Sequence, residues 1–344
     1  MPINDSPAAL ACKNLNFSIT QTPGKPVTIT LPAMSDIEAA RMWLTEQRPV
    51  LRAALFEHGH VYLRGLPVFK IADFAVVRDA LVGERAEYKE KATPRSDYGN
   101  DIYSSTDLPP MQAIRPHNEN SYTLDFPGVL AFCCLEAPVS GGATIIADVR
   151  KVLSNIPAPL ADRFRMHGWR LARNYSREVG LPWRSAFATD DRSSVVAYCQ
   201  RSLISAQWLG ADGLRTVQRR PAIIRHPVTK EEVWFNHVAF WNSASLDKDV
   251  REVLLDAYGV DGLPFETTLG NGEKLSADEV QQINEAYDSA ICREAWRPGD
   301  VLLIDNILCA HGRDAFVGRR RVLVAMGEPV ALADCHPYPT PSSD

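Results

Sequence analysis

Two runs that are apolar at every position constrain this chain most. They are Val129-Leu130-Ala131-Phe132-Cys133-Cys134-Leu135 and Val301-Leu302-Leu303-Ile304. Successive side chains of a strand point to opposite faces, so a strand written this way is covered on both sides. Each run reads as a central strand of a buried sheet. Shorter strand patterns surround them: Val61 to Arg64 ending at Gly65, Ala143 to Ile146, Ala222 to Ile224, Val233 to Phe235, and Arg321 to Met326. Residues 226–230 join the third and fourth as a hairpin-like connection.

Helical patterns are fewer. Ser35-Asp36-Ile37-Glu38 has capping-box form and opens an amphipathic stretch through Trp43 and Leu44, which Pro49 is expected to interrupt. Further helices are expected over Ile71 to Leu81, Val149 to Leu153, Leu160 to Met166, from a Ser245 cap to Tyr258, and from a Ser276 capping box to Ala290. Strands dominate from residue 115 onward without the regular alternation of a doubly wound sheet, and no GxGxxG or P-loop is present. The fold expected is mainly β with flanking helices: a double-stranded β-helix (jelly-roll) core. We divide it into an N-terminal flank of about 1–110, core segments of about 111–168 and 219–330, and an insertion of about 169–218, all one domain. The first thirty residues read as a surface arm or edge strand. The charged, Pro-containing stretch from Glu84 to Pro110 reads as a lid-like loop.

The chemistry-bearing pattern is His117-Asn118-Glu119, just after Pro116, taken together with the distant His311. If the segment is extended, His117 and Glu119 share a face and Asn118 points away. Two imidazoles and one carboxylate on one side of a metal, with the other positions open, form the facial triad of non-heme Fe(II) oxygenases. Alone, each has a bland reading: a turn or core histidine, a solvated strand carboxylate, a strand-capping histidine. His58, His60, His226, His237 and His336 are read as structural or surface residues.

Composition removes other classes. A net charge of −5 argues against a nucleic-acid binder that works by charge. No apolar run approaches a membrane span, and the N-terminus lacks signal-peptide form. Seven cysteines, two adjacent within an apolar run and none in a CxxC, read as buried thiols of a cytoplasmic protein.

With these pieces assembled, the chain resembles the taurine dioxygenase-like (TauD/TfdA) Fe(II)/2-oxoglutarate oxygenases over roughly residues 60–326. The matching pieces are Arg64-Gly65, His117-Asn118-Glu119, Gly141-Gly142-Ala143-Thr144, Gly299-Asp300, Asp305-Asn306 before His311, and Arg321 after it. The resemblance implies that His117, Glu119 and His311 hold Fe(II). It also implies that Thr144 and an arginine about ten residues beyond the distal histidine (321 − 311 = 10, Arg321) hold 2-oxoglutarate, with O2 as co-substrate. A forked, permanently charged guanidinium suits that carboxylate better than a lysine. Arg319 shares the face of Arg321 in a regular strand and is the runner-up. Glutamate in place of the commoner aspartate, with His-Asn-Glu-Asn-Ser-Tyr, Val233-Trp234-Phe235-Asn236 and His311-Gly312-Arg313, is most similar to the branch of the syringomycin aspartate hydroxylase. That branch implies hydroxylation of an amino acid, free or tethered to a carrier protein, in natural-product biosynthesis. Arg115, Asn120, Asn236 and Arg313 are candidate substrate contacts, with local structural hydrogen bonding the equally weighted alternative. Desaturation or cyclisation at the same iron, a non-catalytic jelly-roll metal- or ligand-binding protein, and a zinc hydrolase remain open. Halogenation is disfavoured, because Glu119 keeps the carboxylate ligand that halogenases of this fold give up.

Overall fold

The computed structural model describes residues 17–86, 90, 95–178 and 180–342. Two facing sheets carry the architecture. The larger has seven strands in the order Ser18–Thr20, Thr28–Thr30, His60–Arg64, Val301–Asp305, Asp125–Glu136, Arg321–Ala331 and Ile102–Ser104. The smaller has four, in the order Ile291–Cys292, Thr144–Asp148, Cys309–Arg313 and Ile114–His117. Four strands from the N-terminal flank therefore extend the main sheet, three at one edge and Ile102–Ser104 at the other, with Thr28–Thr30 parallel to His60–Arg64. Most of the expected N-terminal arm lies outside the described residues.

The two apolar runs are neighbours in this sheet, Val301 opposite Cys133 and Asp305 opposite Val129. Their residues divide by parity between two cores. Val129, Ala131, Cys133, Val301 and Leu303 pack beneath the helices Ile37–His58 and Ile71–Leu81. Leu130, Phe132, Cys134, Leu302 and Ile304 face inward with Ile146 and Cys309 of the smaller sheet. That double coverage is why both runs lack polar positions.

Pro49 does not interrupt the first helix, which runs unbroken from Ile37 to His58 with Asp36, not Ser35, accepting the Ala39 N–H as the cap. A proline inside a helix costs about 3 kcal/mol. Here Leu44, Leu51 and Leu55, on both sides of it, are all buried, and each such side chain contributes roughly 1.5–3 kcal/mol. The buried face wins. The helix Ala277–Ala290 opens with the Ser276/Glu279 capping box, whereas the helix Lys248–Gly262 is capped by Asp247, Ser245 ending a short 3-10 turn instead.

A further four-stranded sheet, Ser205–Leu209, Gly213–Arg220, Trp169–Tyr175 and Phe265–Leu269, covers one end of the core, with the helices Trp183–Phe187 and Arg192–Arg201 beside it. Trp169, Leu171 and Leu269 pack it into the central core, and two of its side chains grip one carbonyl there. Gln218 Nε2 and Arg220 Nε both donate to Tyr122 O, at 2.8 and 2.9 Å, and so pin the chain just after the His-Asn-Glu triplet.

Candidate metal centre

His117 and His311 are brought together by strand pairing. They are register partners across Ile114–His117 and Cys309–Arg313, with ring centroids 4.6 Å apart. Gly312 permits this closeness: a Cβ there would lie 2.3 Å from Ile114 O. Glu119 reaches the same point by another route. The strand ends at His117, so the expected alternation stops one residue early and Glu119 sits in the following turn. Asn120, at φ +55°, turns the chain in the left-handed region that asparagine tolerates. Ligand atoms of His117, Glu119 and His311 all lie within 4.8 Å of one another, with His311 Nε2 3.7 Å from Glu119 Oε2.

Asn306 holds the turn in place. Its Oδ1 accepts the Glu119 N–H at 2.7 Å, and its Nδ2 donates to Glu119 O at 2.9 Å and to Pro127 O at 2.8 Å. Asn118 does not line the pocket with His117 and Glu119. It is fully buried and donates to Asn306 O at 2.7 Å.

The electrostatics suit a divalent metal. His117 Nδ1–H donates to Arg115 O at 3.0 Å, which leaves Nε2 with its lone pair. His311 keeps a second ring nitrogen, Nδ1, buried and without a hydrogen-bond partner among the described residues. Burial holds both imidazoles below their ordinary pKa, strongly so at His311, where His117 and Arg95 add to it. Neutral imidazoles and a carboxylate are the donors that Fe(II) takes in a facial triad. The residues present fit the metal.

Arg95 was not identifiable from the sequence, since its stretch carries charge but no periodicity. Its side chain, 5% exposed, donates to Glu119 Oε2 at 2.8 Å. It comes from the segment expected to be a lid. Residues 87–89 and 91–94 of that segment lie outside the described residues, but its described part also sends Ser105 and Thr106 to the pocket wall. The pocket encloses about 610 Å³ of non-protein space, counted together with the open solvent at its mouth. His117, Glu119 and His311 line it, as do Phe132, whose ring lies 5.2 Å from His311, and an aromatic wall of Tyr122, His237, Phe240 and Trp241.

Of the three consecutive arginines 319–321, the one that lines this pocket is Arg320. Arg321, expected to turn inward, is exposed and lies over the Tyr98 ring, and Arg319 projects into solvent near Glu136. The correction has a local cause. Arg321 pairs with Glu136 but Val322 pairs with Cys134, so Leu135 is an unpaired extra residue in the opposing strand. That irregularity lies in the opposing strand. Within Arg321–Ala331 itself, Val322, Val324 and Met326 face the inner core while Leu323 and Ala325 pack beneath the helices. The inward parity carried back therefore falls on Arg320 and not on Arg321. Arg320 Nε donates to Gly142 O at 2.9 Å, Nη1 to Ser105 Oγ at 3.0 Å and Nη2 to Thr144 Oγ1 at 3.4 Å. Burial brings its pKa down to about 10. Thr144 is buried and lines the pocket.

The four candidate substrate contacts separate. Asn120 and Arg313 line the pocket, though Arg313 spends its guanidinium on the carbonyls of Leu108, Pro109 and Gln112. Arg115 points the other way, to Asp288 at the surface. Asn236 is buried in local structure, donating to Ala222 O and accepting the Val238 N–H. His237, read from sequence as structural or surface, belongs to the pocket wall, its Nδ1 held by Ser121 Oγ at 2.6 Å. His226 is structural, bonded to Asp305 and to the Val228 and Thr229 amides.

Comparison with known proteins gives one family. Residues 23–326 match the family described as "Taurine catabolism dioxygenase TauD, TfdA family". The chain is 36% identical over 276 residues, 80% of its length and 84% of the relative's, to the dapdiamide synthesis protein DdaC of Enterobacter agglomerans. It is 28% identical over 311 residues, 87% of this chain and 90% of the other, to a clavaminate synthase-like protein of Arabidopsis thaliana. Among solved structures, PvcB from Pseudomonas aeruginosa superposes with a TM-score of 0.52 at 14% identity, covering 91% of this chain and 92% of that one. A taurine dioxygenase from Burkholderia xenovorans gives 0.51 at 14% identity, covering 93% of each. At these identities the structural likeness is one of fold.

Proposed function

This chain belongs to the TauD/TfdA family of Fe(II)/2-oxoglutarate-dependent dioxygenases, and from that premise we propose that it hydroxylates an unactivated C–H bond of an amino acid or amino-acid-derived substrate. The observation that carries the reading is the meeting of His117, Glu119 and His311 at one point of a pocket whose other end is Arg320 and Thr144. A zinc hydrolase needs the first group and has no use for the second.

His117, Glu119 and His311 would hold the iron, with Asn306 and Arg95 fixing the backbone and carboxylate of Glu119. Arg320 takes the place that the sequence pattern assigned to Arg321: its guanidinium and the Thr144 hydroxyl would hold the far carboxylate of 2-oxoglutarate. When bound, iron and 2-oxoglutarate supply the oxidising power, with O2 consumed and succinate and CO2 released. The chain's own residues bind, orient and exclude water. Phe132, Tyr122, Phe240 and Trp241 form the apolar wall that does the last. Asn120 and His237 are the polar groups on that wall available to orient a substrate.

The amino-acid class is supported by the glutamate ligand and by likeness to DdaC, a protein of dapdiamide synthesis. A carrier-tethered substrate, natural-product biosynthesis and a cytoplasmic setting belong to the same proposal. So does the treatment of the chain as one oxygenase domain with 169–218 inserted. No helix among the described residues is long and apolar enough to cross a membrane. The test is a succinate-release screen, with Fe(II), 2-oxoglutarate and O2, against free amino acids and carrier-loaded aminoacyl thioesters. The expected result is succinate matched by a product that has gained one oxygen atom. A product lacking a hydrogen pair instead would replace hydroxylation by desaturation or cyclisation. Absence of a weak visible charge-transfer band on anaerobic addition of Fe(II) and 2-oxoglutarate would remove the oxygenase reading altogether.

A further inference from the structure

Trp296 lies on the turn that leads into the buried strand Val301–Asp305, and several contacts fix that turn. Gly299, at φ +88°, passes so close to Leu66 O that a Cβ would lie 2.7 Å from it. Asp300 accepts the Arg297 N–H at 2.8 Å and is gripped by Arg64, with Nε at 3.1 Å and Nη2 at 2.9 Å. The Trp296 ring is 5% exposed and packs 5.1 Å from the Tyr62 ring. So held, its Nε1–H donates to Thr144 Oγ1 at 3.3 Å.

Among the described residues the hydroxyl of Thr144 therefore has two hydrogen-bonding neighbours, and neither can accept. An indole N–H is a donor only, and so is the guanidinium of Arg320, whose Nη2 is 3.4 Å from the same oxygen. A threonine hydroxyl has two acceptor lone pairs and one proton. With both lone pairs engaged, the proton must go to a third partner, and Thr144 is buried on the pocket wall. Resting on the 2-oxoglutarate reading above, we infer that Trp296 is a positioning residue: its indole N–H commits the Thr144 hydroxyl proton to the far carboxylate of 2-oxoglutarate. The chain indole N–H to hydroxyl to carboxylate is polarised in one direction, and each link strengthens the next. Without the indole, the hydroxyl can rotate and offer a lone pair to the anion as readily as its proton.

The test is a double-mutant cycle on 2-oxoglutarate binding to the Mn(II)-loaded full chain, followed by isothermal titration calorimetry. Trp296→Phe keeps a buried aromatic ring and removes the N–H, while Thr144→Val keeps the branched shape and removes the hydroxyl. Trp296→Phe is expected to raise the Kd about five-fold, the worth of one ordinary neutral hydrogen bond. In the Thr144→Val background the same change should move it less than about two-fold, whereas a Thr144→Ser background should keep the full sensitivity. Mn(II) affinity without 2-oxoglutarate should be unaltered throughout. An unchanged Kd in Trp296→Phe, an equal loss in the Thr144→Val background, or a fall in Mn(II) affinity would each overturn the inference, leaving Trp296 as packing. A wild-type Mn(II)-loaded chain that takes up no 2-oxoglutarate would overturn the oxygenase reading and the inference with it.

Discussion

Substituting methionine for Arg320 and, separately, for Arg321 tests the placement of the co-substrate site at single-residue resolution. Arg320 is partly buried on the pocket wall, with its guanidinium beside Thr144. A charge-assisted hydrogen bond to a carboxylate is worth about 1.5–3 kcal/mol, and a forked guanidinium makes two. Taking about 3 kcal/mol for the pair, at 1.4 kcal/mol per decade, Arg320→Met should weaken 2-oxoglutarate binding roughly 100-fold. The substitution also removes hydrogen bonds to Gly142 O and Ser105 Oγ, so stability should fall by about 2 kcal/mol. Arg321 makes an exposed contact over the Tyr98 ring, 5.6 Å from its centroid. Such a cation–π contact is worth at most about 1 kcal/mol, all of it in stability. Arg321→Met should leave the 2-oxoglutarate Kd within about two-fold of wild type, a margin below 0.5 kcal/mol. Calorimetric titration of each Mn(II)-loaded variant reads the Kd, and urea unfolding reads the stability. A Kd that rises roughly 100-fold in Arg321→Met and not in Arg320→Met would refute the reasoning and the inward facing assigned to Arg320.

Three other outcomes follow from the geometry. Asn306→Ala removes three side-chain hydrogen bonds, two to the Glu119 backbone and one to Pro127 O. It should cost about 3 kcal/mol of stability and weaken Mn(II) binding 10- to 100-fold, read by urea unfolding and by electron paramagnetic resonance titration. Gly312→Ala puts a Cβ 2.3 Å from Ile114 O and must part the strands that carry His117 and His311. Mn(II) binding should be lost while circular dichroism keeps its native shape, and retained binding would contradict the register pairing. His60 accepts the Val27 N–H on Nε2 at 3.3 Å, and burial lowers its pKa from 6.5 to about 4. The unfolded chain therefore takes up the proton first, and this contribution to stability is full above pH 6.5 and is lost as pH falls towards 4. The loss is on the order of 3 kcal/mol. His60→Gln should flatten that part of a pH-resolved unfolding series, and an unchanged slope would remove His60 as its source.

The chain order of residue types determined a great deal by itself. Two runs apolar at both parities require strands covered on both sides, because a strand cannot leave either face to water without polar positions there. The types and local settings of His117, Glu119 and His311 marked three candidate metal donors whose ligand atoms the structure brings within 4.8 Å of one another, and the Ser276/Glu279 box marked a helix start that the structure keeps. These are local or compositional signals. Tertiary structure decided where side chains point once regular geometry fails or a partner is distant. Spacing from His311 named Arg321, but the parity of its strand, with Val322 and Val324 turned to the inner core, gives the inward position to Arg320. Asn306 lies 187 residues from the Glu119 turn that it holds, and Arg95 comes from a stretch with no pattern at all. Arg115 and Asn236 stand close in sequence to pocket residues yet are turned to the surface and into local structure. Periodicity fixes a face only while the register is regular, and a contact between distant segments leaves no periodic trace in either of them.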